Sequence, residues 1–209
     1  MSSGRDLGQQ IEGTTERKVD EMGKVLWHTM MSLDGFIAGA NDDMRWMSGV
    51  DGGAGQTIDE VVRSTGALLV GRRTQDVEDR DQPGFYGGAF RGPFFVLRHD
   101  PPAEPPVVKG VTGHFLDVGI DEATRVAREA AEGGDVVVLG ANIARQCLEA
   151  GLLDEIIINV APVLVGEGVR LFERSGSEPV GLQPISSVEE GETTVLRYSV
   201  GRRGAEGAP

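Results

Sequence analysis

The chain of 209 residues has a formal net charge of −13, with 39% hydrophobic and 25% charged residues. Its length suits one domain with a sizeable core, and its charge argues against non-specific binding to nucleic acid or an anionic membrane. No apolar run reaches the length of a membrane span and the N-terminus has no hydrophobic signal core, so we expect a cytoplasmic protein.

The first part of the chain is polar and is followed by an apolar strand. Residues 1–22 have no apolar period and are predicted to be disordered. Val25–Met31 is rich in apolar side chains and predicts the first strand, which Ser32–Gly35 interrupts and Phe36–Gly39 continues. The fold is therefore expected to begin near residue 23.

A helix, a buried strand and a second helix are predicted next. Thr57 fits an N-cap, and Glu60, three residues later, would complete a capping box. Ala67–Val70 predicts a short buried strand that leads into a helix from Gln75. After a glycine-rich aromatic loop, Pro93–Leu97 predicts another strand.

The second half centres on a predicted strand–helix–strand unit. A weak strand over Val111–Leu116 and an amphipathic helix from Asp121 precede it. Its strands, Val136–Leu139 and Ile156–Val160, are continuous apolar runs, which is typical of central strands covered on both faces. A crossover helix between them predicts a right-handed βαβ unit with parallel strands.

The C-terminal part changes from parallel to antiparallel patterning. Residues 180–188 and 193–200 flank a glycine-containing acidic turn and predict a hairpin. Residues 202–209 are interpreted as a tail, which leaves a single domain over residues 23–201. We predict an α/β fold with a mixed, mostly parallel sheet flanked by helices and a C-terminal antiparallel hairpin.

The cysteine and the histidines argue against a disulfide framework and against a metal site. Cys147 is the only cysteine, and its place on an apolar helical stripe predicts a packed thiol. His28, His99 and His114 show no metal-ligand spacing. We predict no metal and interpret His28, inside the first strand, as structural.

Basic and glycine residues follow three predicted strands, where ligands of α/β sheets bind. Arg72, Arg73 and Thr74 lie between a buried strand and a helix, and guanidinium groups there could clamp a phosphate. The alternative, a solvated arginine pair, places cations near the positive end of a helix dipole. Arg98 could face a second phosphate, and Gly140 allows the backbone to approach a pyrophosphate.

Asp34 is the carboxylate best placed for chemistry, because it directly follows the first strand. The alternative is an aspartate that forms a turn before Gly35. Trp46 lies on a predicted loop or short helix, where it could be a lid or a stacking surface. Residues 162–168 carry glycines that allow a loop to lie close to a ligand.

These stretches, in this order, resemble the dihydrofolate-reductase-like superfamily, and more closely the reductase domain of the riboflavin-biosynthesis deaminase–reductase. The stretches are MSLDGFIA (31–38), LLVGRRT (68–74), FVLRH (95–99), VVVLGANIARQCLEAGLLDEI (136–156) and APVLVGEGVRLFE (161–173). The resemblance implies a cofactor, NADPH. Leu139 stands where the family has the first glycine of a Gly-Gly pair, so cofactor binding could be altered.

The resemblance also implies which residues form the site. Asp34 is the predicted catalytic residue, and Asp34, Trp46 and Leu164 are predicted to bind the substrate. The predicted cofactor-binding residues are Ile37, Ala38, Gly71, Arg72, Arg73, Thr74, Leu97, Arg98, Gly140, Ala141, Asn142, Ile143 and Gly166.

Two functions are compatible with these features. The first is an NADPH-dependent reductase that transfers a hydride to a small heterocycle of pterin or ribosylaminopyrimidine type. The second is a non-catalytic NADP(H)-binding or sensing protein on the same fold, which the Leu139 departure and the absence of a deaminase half favour. The exposed edge of the hairpin, together with the resemblance, predicts a homodimer.

Overall fold

The computed structural model describes residues 23–51, 55–81, 84–173 and 178–201. The predicted disordered segment and the predicted tail lie outside these described residues. No helix within them is long and apolar enough to cross a membrane.

The strands are β1 (Val25–Ser32), β2 (Phe36–Ala38), β3 (Thr65–Gly71), β4 (Phe94–Leu97), β5 (Val107–Val108), β6 (Val111–Thr112), β7 (His114–Leu116), β8 (Asp135–Leu139), β9 (Glu155–Ala161), β10 (Val169–Arg170), β11 (Leu182–Glu190) and β12 (Thr193–Val200). The α-helices are α1 (Gln56–Ser64), α2 (Arg72–Asp81), α3 (Ile120–Ala130) and α4 (Ala141–Glu149).

An eight-stranded sheet in the order β11-β12-β9-β1-β8-β3-β4-β7 forms the centre of the fold. The strands from β9 to β7 run parallel, and β12 and β11 are added antiparallel at one edge. This arrangement confirms the predicted mixed sheet with a C-terminal hairpin. The two strands of the predicted βαβ unit are parallel but not adjacent, because β1 lies between them and pairs with both.

The two faces of the sheet bury two separate cores. On one face Trp27 and Val138 pack with Ala127 of α3 and with Cys147 of α4. Cys147 is fully buried, and burial raises the pKa of its thiol to about 12, which fits a packed thiol. On the other face apolar strand residues pack with α1 and with the aromatic segment that begins at Phe85. Alternation of side chains along each strand produces both cores.

The predicted capping box at the start of α1 is wrong. The helix begins after Gly55 with no side-chain cap. Thr57 instead donates from its backbone N–H and its hydroxyl to the Glu190 carboxylate, at 3.1 and 2.6 Å. Glu60 accepts a hydrogen bond from Gln56 on its own helix. A carboxylate from the C-terminal hairpin thus takes the place of the local cap.

Two predicted boundaries also move. The helix predicted from Gln75 begins at Arg72, because no turn residue separates Gly71 from the helix. The strand predicted over Val111–Leu116 divides at Gly113. A Cβ at Gly113 would lie 2.4 Å from the ring of Phe94, so the backbone there passes directly against that ring.

Candidate active site

A cleft of about 1570 Å³ opens at the carboxyl ends of β3, β4 and β8. Parallel strands bring their ends to one edge of a sheet, which is why residues distant in sequence meet there. The predicted cofactor-binding residues that line the cleft are Ala38, Gly71, Arg72, Arg73, Thr74, Leu97, Arg98, Gly140, Ala141, Asn142 and Ile143.

The turns after β3 and β8 are packed tightly against each other. Gly140 has φ +94°, and a Cβ added there would lie 2.8 Å from the Thr74 hydroxyl oxygen. A Cβ added at Gly71 would lie 3.2 Å from Ile143. Glycine at position 140 therefore satisfies both a backbone conformation and a close approach that other residues would oppose.

This packing places the N-termini of α2 and α4 beside each other at the cleft. Helix α2 follows β3 directly, and α4 begins after Gly140 with no side-chain cap. The first N–H groups of a helix have no intrahelical partner and carry a partial positive charge. Two such N-termini provide donors for a phosphate or pyrophosphate.

The arginines of α2 add positive charge to the same wall. Arg72 lies 3.9 Å from Asp76, and Arg73 lies 3.4 Å from Asp42. Both guanidinium side chains are more than 60% exposed, at 62% and 68%. Exposed ion pairs of this kind are weak, so an anionic ligand can compete for both arginines.

Arg98 occupies the next strand end and is held differently. Its guanidinium lies over the ring of Phe115, with the carbon 5.4 Å from the ring centroid. Its Nε is buried and has no hydrogen-bond partner among the described residues. An orphaned cationic donor that lines a cleft fits a site for an anion.

Asp34 does not line this cleft, and its carboxylate organises a loop. The Ser32 hydroxyl and the backbone N–H groups of Val165 and Gly166 donate to it at 2.6, 3.0 and 2.7 Å. These hydrogen bonds, led by the one from Ser32, lower the pKa of Asp34 to about 2. They outweigh the desolvation of the carboxyl group, which acts in the opposite direction, and these contacts favour the turn-forming alternative. The catalytic role stays a prediction.

The other predicted residues outside the cleft lie near that loop. Trp46 and Leu164 line a separate, shallow pocket of about 280 Å³. Gly166 donates to Asp34 through its backbone, and Ile37 is buried in β2. The structure therefore brings the predicted cofactor-binding residues of the strand ends together but does not bring the predicted substrate-binding residues to them.

A polar cluster on the cleft floor was missed by the sequence reasoning. The His28 Nδ1 lies 3.1 Å from the Tyr86 hydroxyl, and its Nε2 lies 3.0 Å from the Asn159 Oδ1. The two rings stack with centroids 5.6 Å apart. Burial lowers the pKa of His28 to about 4, so its imidazole is neutral near pH 7. The signal in the sequence that could have revealed this cluster is the presence of two polar residues, His28 and Asn159, inside apolar strands.

Solved structures of similar fold come from several organisms. A putative riboflavin biosynthesis protein from Shewanella sp. PV-4 has 22% sequence identity and a TM-score of 0.71, covering 86% of this chain and 99% of that chain. The diaminohydroxyphosphoribosylaminopyrimidine deaminase/5-amino-6-(5-phosphoribosylamino)uracil reductase of Thermotoga maritima has 14% identity and a TM-score of 0.65, covering 87% of this chain and 58% of that chain. The dihydrofolate reductase of Enterococcus faecalis, complexed with NADP(H) and RAB-propyl, has 16% identity and a TM-score of 0.54, covering 87% of this chain and 98% of that chain.

The sheet and its strand-end cleft define a domain of the dihydrofolate-reductase-like fold. The model of the RibD C-terminal domain matches residues 23–86 and 93–196. This match covers most of the chain, which therefore belongs to the RibD C-terminal domain family. A search of curated proteins found no match.

Proposed function

We propose that the protein is an NADPH-dependent reductase that transfers a hydride to a small heterocyclic substrate of pterin or ribosylaminopyrimidine type. The convergence of two helix N-termini and three arginines on one cleft is the observation that carries this proposal. Family membership supports it, because the Thermotoga maritima relative is named as a uracil reductase.

The residues present fit a dinucleotide that carries phosphates. Gly140 allows the turn to pack against Thr74 without a side chain, and a pyrophosphate would bind to the first N–H groups of α4 beside this turn. Arg72 and Arg73 would hold phosphate oxygens from α2. Arg98, with its orphaned Nε, would face the 2′-phosphate that distinguishes NADPH from NADH.

NADPH, when bound, supplies the hydride. The chain would orient the nicotinamide against the substrate and exclude water between them. Leu139, Ile143 and Phe172 provide apolar surface in the cleft for this purpose. Asp34 is proposed to act on the substrate side, either directly or by fixing the loop at Val165 and Gly166.

A second candidate function is binding or sensing of NADP(H) without turnover. The observation that favours it is Leu139, whose side chain lines the cleft where the family has a glycine. A leucine there reduces the room next to the pyrophosphate turn. Weaker or altered cofactor binding would suit a sensor that responds to the cofactor concentration.

Cofactor titration followed by a turnover assay separates the two candidates. NADPH and NADH binding is measured first by calorimetry, and we expect tighter binding of NADPH. Oxidation of NADPH is then followed by its absorbance with pterins and ribosylaminopyrimidines as acceptors. Turnover with one of these classes supports the reductase. Binding without turnover across both classes supports the sensor, and no binding of either nucleotide contradicts both.

We also propose a homodimer, in the cytoplasm. The edge strand β11 has no strand partner on its outer side within the described residues. Leu182, Ile185 and Val188 on this strand are 40%, 49% and 44% exposed. An uncovered apolar edge of this kind invites pairing with a second copy. Light scattering that gives a mass near 22.2 kDa at micromolar concentration would contradict the dimer.

A further inference from the structure

The cleft floor contains a buried amide whose nitrogen has no partner in the described part of the protein. Asn159 of β9 is 1% exposed and lines the cleft. Its Oδ1 is paired with the Nε2 of His28, but its Nδ2 has no hydrogen-bond partner among the described residues. Buried polar groups are normally paired, so an orphaned donor in a cleft indicates a missing acceptor.

The direction of each hydrogen bond in the cluster follows from the chemistry of the amide oxygen. An amide oxygen only accepts, so the Nε2 of His28 carries the hydrogen in this pair. The Nδ1 of the neutral ring then accepts, and the Tyr86 hydroxyl donates to it. The series of hydrogen bonds runs from Tyr86 through His28 to Asn159, and it orients the amide so that its oxygen is paired and its nitrogen is not.

Tyr86 begins this series of hydrogen bonds. It lies in the short helical segment Phe85–Gly88 with φ +55°, a left-handed conformation that is costly for a tyrosine. Its ring stacks on His28 at an interplanar angle of 13°. Burial raises the pKa of the Tyr86 phenol, so the hydroxyl keeps its proton and remains a donor.

We infer that Asn159 is a specificity-determining residue that donates from Nδ2 to a carbonyl oxygen or an unprotonated ring nitrogen of the heterocyclic substrate. His28 and Tyr86 are positioning residues that fix the orientation of its amide. This inference rests on the proposed reductase function for the identity of the cleft. With this donor, the cleft favours heterocycles that carry a hydrogen-bond acceptor at the contacted edge over rings that carry only a donor.

Uracil and aniline are the probes that test this selection, because one ring carries carbonyl acceptors and the other carries an amino donor. Binding to the full chain is measured by NMR titration without cofactor. We expect uracil to bind more tightly than aniline and to shift the Asn159 side-chain amide resonance. Equal binding of the two rings, or a uracil complex that leaves this resonance unchanged, overturns the inference.

Asn159→Asp replaces the unpaired amide nitrogen, a donor, by a carboxylate oxygen, an acceptor, and keeps the other oxygen for His28. We expect uracil to bind about ten- to a hundredfold more weakly, the effect of losing a hydrogen bond and leaving an acceptor unpaired. Aniline should bind more tightly than to the wild type. Gln183→Glu, the same amide-to-acid change on the exposed strand β11 outside the cleft, is the control and should change neither affinity.

Tyr86→Phe keeps the stacked ring and removes only the hydroxyl donor. We expect the nitrogen shifts of His28 to show a mixture of tautomers, and uracil affinity to fall several-fold. Unchanged His28 shifts would overturn the positioning role. NADPH affinity is measured in parallel and should be the same in all variants. A wild-type protein that does not bind NADPH contradicts the proposed function. A wild-type protein that binds NADPH but does not prefer uracil to aniline contradicts only this inference.

Discussion

Gly140→Ala is expected to destabilise the turn between β8 and α4. Gly140 has φ +94° and ψ 137°, and a Cβ there would lie 2.8 Å from the Thr74 hydroxyl oxygen. The backbone conformation costs a non-glycine residue about 1–3 kcal/mol, and forced overpacking costs about as much again. We expect the free energy of unfolding to fall by roughly 2–4 kcal/mol.

Two variants of Thr74 separate the steric part from the backbone part. Thr74→Ala removes the hydroxyl oxygen that the new Cβ would meet, whereas Thr74→Ser keeps it. In a double-mutant cycle, Gly140→Ala and Thr74→Ala should be less than additive by about 1 kcal/mol. Gly140→Ala with Thr74→Ser should be additive, because the clash persists.

Urea unfolding gives the stability of each variant, and NADPH titration gives the consequence for the site. The strain of Gly140→Ala should move the first N–H groups of α4, and we expect about a tenfold or larger loss of NADPH affinity, equivalent to at least about 1.4 kcal/mol. If Gly140→Ala has the same stability and the same NADPH affinity as the wild type, the reasoning about this turn is refuted.

Three further predictions address single side chains. Arg72→Ala should weaken NADPH about ten- to a hundredfold by calorimetry, from the loss of roughly 1.5–3 kcal/mol of charge-assisted phosphate contact; Arg63→Ala, an exposed arginine on α1, is the control and should bind as the wild type. For His28, burial lowers the pKa from 6.5 to about 4, so the unfolded chain binds more protons than the folded protein between these values. Stability should therefore decrease by on the order of 3 kcal/mol as the pH is lowered from 6.5 to 4. Urea midpoints that decrease no more steeply than those of His28→Gln over this range would contradict this. Asp34→Asn places an amide NH₂ against backbone donors, so melting temperature and turnover should fall together; a turnover loss of about 10²-fold at unchanged melting temperature would restore a catalytic role.

The parts of the site that sequence predicted are those that each strand carries by itself. A buried apolar run followed by Gly71 and Arg72, or by Gly140, marks a strand end before a helix. Parallel pairing then brings such ends to one edge, whatever the order of the strands. For this reason the clustering of these strand-end residues at one edge could be predicted without knowledge that β1 separates β8 from β9.

The parts that sequence missed depend on pairs of residues far apart in the chain. His28 and Asn159 are 131 residues apart, and they meet because β1 and β9 pair in a register that aligns Met30 with Asn159. Thr57 and Glu190 are 133 residues apart, which is why a local capping box was the wrong reading. A polar residue within an apolar strand shows that a partner exists, but only the register identifies it.

The distribution of charge links the composition to the proposed ligand. The whole chain has 33 acidic and 20 basic residues, whereas the cleft is lined by six arginines (45, 72, 73, 98, 145 and 170) against five carboxylates (42, 78, 81, 100 and 173). Since the overall field repels anions, binding of a dinucleotide has to come from contacts within the cleft, at the two helix N-termini and at guanidinium groups with weak or absent carboxylate partners. Such contacts act at hydrogen-bond distance and distinguish a phosphate from a carboxylate by geometry. An acidic protein whose cleft is nearly balanced in charge but offers these donors is therefore suited to select one phosphorylated cofactor without attracting nucleic acid.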